Sequence, residues 1–106
     1  MTNEEKQFHK AMVNIYEEAK RKYGYNATYL LQMIGEYGGV EAAKRLLAKE
    51  NVSEGFGTLQ LYDRLDLTVE AHVVKPEFAS LFTPEEIAIA KRRLADVYYD
   101  ATRQGL

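Results

Sequence analysis

LDLTVEAHV, residues 65–73, decides how this chain folds. Leu65, Leu67, Val69, Ala71 and Val73 alternate with Asp66, Thr68, Glu70 and His72, the period of two that marks a half-buried strand. A strand needs a neighbour to satisfy its backbone, and no other segment offers one. Read as a helix, the same residues put Asp66 at the N-cap, Leu67, Ala71 and Val74 on one side, and Val69 and Val73 on another. Such a helix is apolar on more than one side and belongs at the centre of a helical domain. The helical reading is adopted; a paired strand here would change the class to α+β.

Toward the C-terminus, Lys75-Pro76 breaks the chain, because the residue before proline avoids helical angles. Residues 77–82 form a turn or a one-turn helix. Thr83, Pro84 and Glu86 then spell N-cap, first helical position and capping box. The spacing predicts a helix from there to about Tyr99, burying Ile87, Ala90, Leu94, Val97, Tyr98 and Ala101, with Gly105 and Leu106 as a frayed tail.

Toward the N-terminus, a short helix is expected from Thr58 to about Arg64 and a loop from Asn51 to Gly57, where Gly55 and Gly57 flank Phe56. Val40, Ala43, Leu46 and Leu47 line one face of a helix over 40–49, with Glu41 and Arg45 paired on its outside. Tyr29, Leu30, Met33, Ile34 and Tyr37 line another over 27–37, capped by Asn26. Gly38-Gly39 ends it in a tight turn with at least one positive φ. Phe8, Met12, Ile15, Tyr16, Ala19 and Tyr23 stripe a first helix from Asn3 to Tyr23, capped by Thr2 or Asn3 and stopped by Gly24. The expectation is all-α: one helical domain over 1–106, a compact bundle of five or six short helices. Its predicted core is Phe8, Met12, Leu30, Ile34, Leu46, Leu47, Leu59, Leu67, Val69, Val73, Ile87 and Leu94.

Composition agrees. Of the 106 residues, 46% are hydrophobic, enough for one core, and none is cysteine, so packing alone must hold the fold. The start, MTNEEKQFHKAM, lacks the basic and apolar regions of a secretory signal. No run is long enough to cross a bilayer, and the expected compartment is the cytoplasm. A net charge of −2 with mixed signs gives no global attraction to nucleic acid or anionic membrane. Tyrosine stands out, with eight against four phenylalanines and no tryptophan. A tyrosine can bury its ring and keep its hydroxyl wet, which suits a thin core or a binding surface.

Four functional patterns stand against plainer readings. Asp66, Glu70 and His72, with Asp63 nearby, could hold a metal or move a proton, but on an amphipathic helix they read as its wet side. Ser53 and Ser80 lack any nucleophile signature, and the glycines at 35, 38, 39, 55 and 57 form neither a P-loop nor a dinucleotide fingerprint. Neither catalytic residues nor a metal or cofactor are therefore expected. Residues 33–47, MIGEYGGVEAAKRLL, resemble the opening of a Fis-type helix-turn-helix through Gly38, Gly39, Ala42, Ala43, Leu46 and Leu47. The following helix comes too late, and TLQLYDRLD (58–66) has one arginine against two aspartates. Lys20, Arg21, Lys22, Lys44, Arg45, Lys91, Arg92 and Arg93 remain as basic residues that could converge on nucleic acid across this degenerate segment, 33–65.

Taken together, FHKAM (8–12), YGYNA (23–27), GGVEAAKRLL (38–47), EGF (54–56), RLDLTVEA (64–71), KPEF (75–78) and LFTPEEI (81–87) resemble a family of small bacterial proteins of unknown function. The resemblance spans Phe8 to about Leu94. It implies an all-α domain that also occurs as a tail on longer chains, and it carries no catalytic residues across.

The leading functional expectation is a non-enzymatic interaction or accessory module that meets a protein partner, or a second copy of itself, through helix surfaces. Tyr25, Tyr29, Tyr37, Tyr62 and Tyr99 cannot all be deep in one small core, and Ile89 falls off the apolar stripe of the last helix. A nucleic-acid-binding accessory factor is the alternative.

Overall fold

The computed structural model describes the backbone of residues 2–105 and the side chains of residues 2–97. Among these, six α-helices and two 3₁₀ turns follow one another, without a strand. They are α1 (Asn3–Tyr23), α2 (Thr28–Tyr37), α3 (Gly39–Leu47), α4 (Glu54–Leu61), a 3₁₀ turn (Leu65–Leu67), α5 (Val69–Val73), a second 3₁₀ turn (Pro76–Leu81) and α6 (Pro84–Gly105). The fold class is all-α.

The alternating stretch is helical in two pieces with a break at Thr68, whose backbone is extended at φ −70° and ψ 156°. Thr68, not Asp66, is the cap. Its hydroxyl accepts from the Ala71 N–H at 3.1 Å and donates to the Leu65 carbonyl at 2.7 Å. Asp66 instead forms a two-pronged ion pair with Arg64 at 2.9 and 3.0 Å. The period of two carries no strand because both sides of the segment are inside: Leu67, Val69 and Val73 are buried, and so are Thr68, Glu70 and His72. The five-residue α5 is the hub of the molecule, touching α1, α3, α6 and both 3₁₀ turns.

The long helices start as their sequences dictate. Thr2 and Glu5 form a capping box at α1, and Gly24 ends it with φ 67°. Thr83 and Glu86 form the second box, with the Glu86 N–H donating to the Thr83 hydroxyl at 3.1 Å and the Thr83 N–H to the Glu86 carboxylate at 2.8 Å. The helix over 27–37 begins at Thr28 without a side-chain cap, and Asn26 contributes only its carbonyl. The expected loop over 51–57 is mostly α4: Ser53 caps it through the Phe56 N–H, and Phe56 and Leu59 anchor its inner side. The last helix continues through Gly105. The side chains of Tyr98 and Ala101, expected to be buried, and of Tyr99, expected at an interaction surface, lie outside the described residues.

Ten of the twelve expected core residues are buried. Ile87 and Leu94 are half-buried, because α6 lies across the edge of the bundle. Phe78 and Phe82 complete the core, each meeting Phe8 edge-on at 5.1 Å between ring centroids, and this docks the second 3₁₀ turn on α1. The double glycine works in two ways. Gly38 takes the positive φ of the turn, 82°. Gly39 brings α3 against α1, where a Cβ would stand 2.7 Å from the His9 Cα, and its N–H donates to His9 Nδ1 at 3.0 Å.

Candidate functional site

A cavity of about 650 Å³ opens among α1, α2, the end of α3, the start of α4 and α5. Its walls are apolar core residues, chiefly Ile15, Ala19, Leu30, Leu46 and Leu59. Such a volume falls in the range of small-molecule and anchor pockets, ~300–1,000 Å³. Phe56 and Gly55 reach its rim because residues 54–61 are helical.

Of the charged residues that line the cavity, Lys49, Glu50, Glu54 and Glu70, one is buried. Glu70, 3% exposed, receives the Arg93 guanidinium at 3.0 Å. The same guanidinium donates to the backbone carbonyls of Lys49 at 2.7 Å and Leu46 at 3.4 Å. It thereby caps the C-terminal end of α3, where carbonyls lack helical partners. An ion pair this deep persists because each partner is also hydrogen-bonded or balanced.

The mouth sets an aromatic ring beside a lysine, with Glu50 and Glu54 also on its lining. Lys49 donates to the Tyr29 hydroxyl at 2.6 Å, with its ammonium 4.7 Å from the ring centroid. On the other side of this pair, a shallower groove runs between α2 and α3 past Met33 to Tyr37, over whose ring Arg45 stacks at 3.9 Å. Tyr29 and Lys49 line both depressions, so cavity and groove share one wall.

The other expected interaction residues are scattered. Tyr25 is half-buried at the cavity rim, Tyr62 stacks on Tyr23 at 4.5 Å, and Ile89 packs against the core. Tyr99 lies outside the described side chains. Leu61, 88% exposed, lies within the short helix expected from Thr58 and carries no sequence signal of its own as a surface residue.

The basic residues do not converge on one free patch. Arg21 and Lys22 pair with Glu18, Arg45 with Glu41, Lys44 with Glu86 and Arg93 with Glu70. Lys20 lies over the Tyr16 ring, and Lys91 and Arg92 are exposed. Asp66, Glu70 and His72 are likewise kept apart. Asp66 is held by Arg64, which lowers its pKa. His72 is buried, with Nδ1 2.7 Å from the Thr68 carbonyl, and burial pushes its pKa down. Among the described residues no cluster of three metal-ligating side chains forms, and no helix is long and apolar enough to cross a membrane.

No protein-family model, no curated protein and no solved structure matches the chain.

Proposed function

We propose that this chain is a non-enzymatic recognition module that binds a protein partner, or a second copy of itself, over the α2–α3 face. The observation that carries this reading is the shared wall of cavity and groove. Tyr29 and Tyr37, 53% and 42% exposed, border two adjoining depressions that share Tyr29 and Lys49; Lys49 and Arg45 lie over the two rings, and Glu36, Glu50 and Glu54 also line the edges. Tyrosine and arginine around a desolvated pocket are the composition of an interface hot spot. The nucleic-acid alternative has less in its favour, since most of its basic groups are already matched by carboxylates within the fold.

The test is a native pull-down, with and without nuclease, using the parent chain and a Tyr29→Ser, Tyr37→Ser variant, beside light scattering for self-association. The expected result is a protein partner or dimer that survives nuclease and is lost in the variant. A strictly monomeric chain that recovers no protein and retains DNA in a salt-sensitive way overturns the reading in favour of nucleic acid.

A further inference from the structure

We propose that the cavity is a binding site for an aromatic ring bearing a single N–H donor, the indole class, which it holds by a hydrogen bond to Glu70. This goes beyond partner binding over the α2–α3 face and does not rest on it.

The argument starts from the free oxygen of Glu70. Arg93 occupies Oε2 at 3.0 Å, and Oε1 has no hydrogen-bond partner among the described residues. Yet no buried side-chain polar atom among them is both sealed from solvent and unpartnered. Oε1 therefore meets open space, and the space that Glu70 lines is the cavity. A carboxylate oxygen that reaches solvent only through an apolar cavity is a strong acceptor with no good partner.

The acceptor count then selects the donor. Thr68, the other buried polar residue in the wall, is already engaged in both roles: its hydroxyl donates to Leu65 and accepts from Ala71. Ser53, at the rim, spends its oxygen on the Phe56 N–H. Glu50, Asn51 and Glu54 also line the cavity but are exposed at its mouth, so the unpartnered Glu70 oxygen is the acceptor on offer at depth. An ammonium would bring three donors and leave two unpaired. A carboxylate or phosphate would meet the Glu70 charge. A phenol would bring a donor together with lone pairs that find no partner inside. An indole N–H donates once, accepts nothing and presents an apolar ring to Ile15, Leu30 and Leu46. Because Arg93 already balances the Glu70 charge, the guest needs no charge of its own.

The chain contains no tryptophan, so an indole can be followed by its own fluorescence. The probes are indole and N-acetyltryptophanamide, titrated with the full chain at neutral pH. Benzofuran, the same bicycle with oxygen in place of N–H, serves as competitor. The expected result is a saturable 1:1 blue shift, with benzofuran binding about tenfold more weakly than indole, the scale of one hydrogen bond to a charged acceptor. Tighter binding of N-acetyltryptophanamide than of indole assigns the ring to a polypeptide, and the reverse to a free small molecule; either supports the proposal.

The site is located with Gly55→Leu. A Cβ at Gly55 meets nothing closer than 3.7 Å and stands 3.8 Å from the Tyr25 hydroxyl, so the larger side chain is accommodated by the backbone and fills the mouth. That variant should keep its thermal midpoint and lose the blue shift. No blue shift with either probe, equal competition by benzofuran, or undiminished binding by a folded Gly55→Leu chain overturns the proposal. Each of these leaves partner binding over the α2–α3 face standing, since the probes test the cavity alone.

Discussion

Arg93 on α6 lies 3.0 Å from Glu70 on α5, and with its remaining hydrogen bonds it holds the last carbonyls of α3. Three helices that are distant in sequence thus meet at one guanidinium. Its side chain is 9% exposed and that of Glu70 4%, so neither charge can turn to bulk water when the other is removed.

Arg93→Ala is therefore expected to cost about 3–5 kcal/mol, the usual penalty for stranding a buried charge. Urea denaturation measures it. Replacing both partners together, Arg93→Met with Glu70→Leu, should recover much of that loss, because apolar packing substitutes well for a buried pair. A single variant as stable as the parent would show that the pair is not desolvated.

Gly39→Ala and Gly35→Ala should move stability in opposite directions. A methyl at Gly39 would stand 2.7 Å from the His9 Cα, backbone against backbone, so α1 and α3 must separate. The expected cost is about 1–3 kcal/mol, as for overpacking a core. A methyl at Gly35 meets nothing within 4 Å, and there alanine should add about 0.5–1 kcal/mol by restricting the unfolded chain. Thermal midpoints of the two variants decide the point.

Thr83→Ala should cost about 1 kcal/mol by removing the cap of α6. Glu86→Ala should cost more, because its carboxylate serves two partners, the Thr83 N–H and the Lys44 ammonium at 2.7 Å. Burial acts to raise the Glu86 pKa, but hydrogen bonds from Lys44 and Thr83 together bring it below the ordinary value. That share of stability is full at neutral pH and is lost as pH falls below about 4.5. Acid titration of the denaturation midpoint, parent against Glu86→Gln, reads it directly.

His72 sets a second pH dependence with a different window. Burial holds its pKa below the ordinary 6.5, so near that pH the unfolded chain takes up a proton that the folded chain resists. Stability is full above about 6.5, falls as pH drops toward the folded value, and is flat below it. The slope between roughly pH 7.5 and 5.5 should be shallower in His72→Gln than in the parent.

What the sequence disclosed tracks how local each cause is. The caps of α1 and α6 lie within four residues, and Thr2, Gly24, Thr83 and Glu86 could be read directly. So could the all-α class, once the lone alternating segment was denied a partner strand. Thr68 was missed as a cap because Asp66 is the stronger capping residue, and its engagement by Arg64 became visible only in three dimensions. The cavity was hidden for two reasons. Gly55 and Gly57 argued for a loop, although the burial of Phe56 and Leu59 outweighs their poor helix propensity. Glu70 looked like a wet-face acid because its partner lies 23 residues further along. Tyr29 and Tyr37 stand out by tyrosine content and helical spacing; their stacking cations come from α3 and from the turn that follows it.

One consequence of the Arg93 junction concerns cooperativity between distant parts of the chain. Glu70 is in the cavity wall and Lys49 at its mouth, and a single residue of α6 grips both. The position of α6 and the width of the cavity are therefore not independent variables. Whatever widens the cavity must strain or release the guanidinium, and whatever pulls on α6 must reshape the cavity. Linkage makes such coupling reciprocal in free energy, so a guest that tightens the wall would also rigidify α6, without touching it.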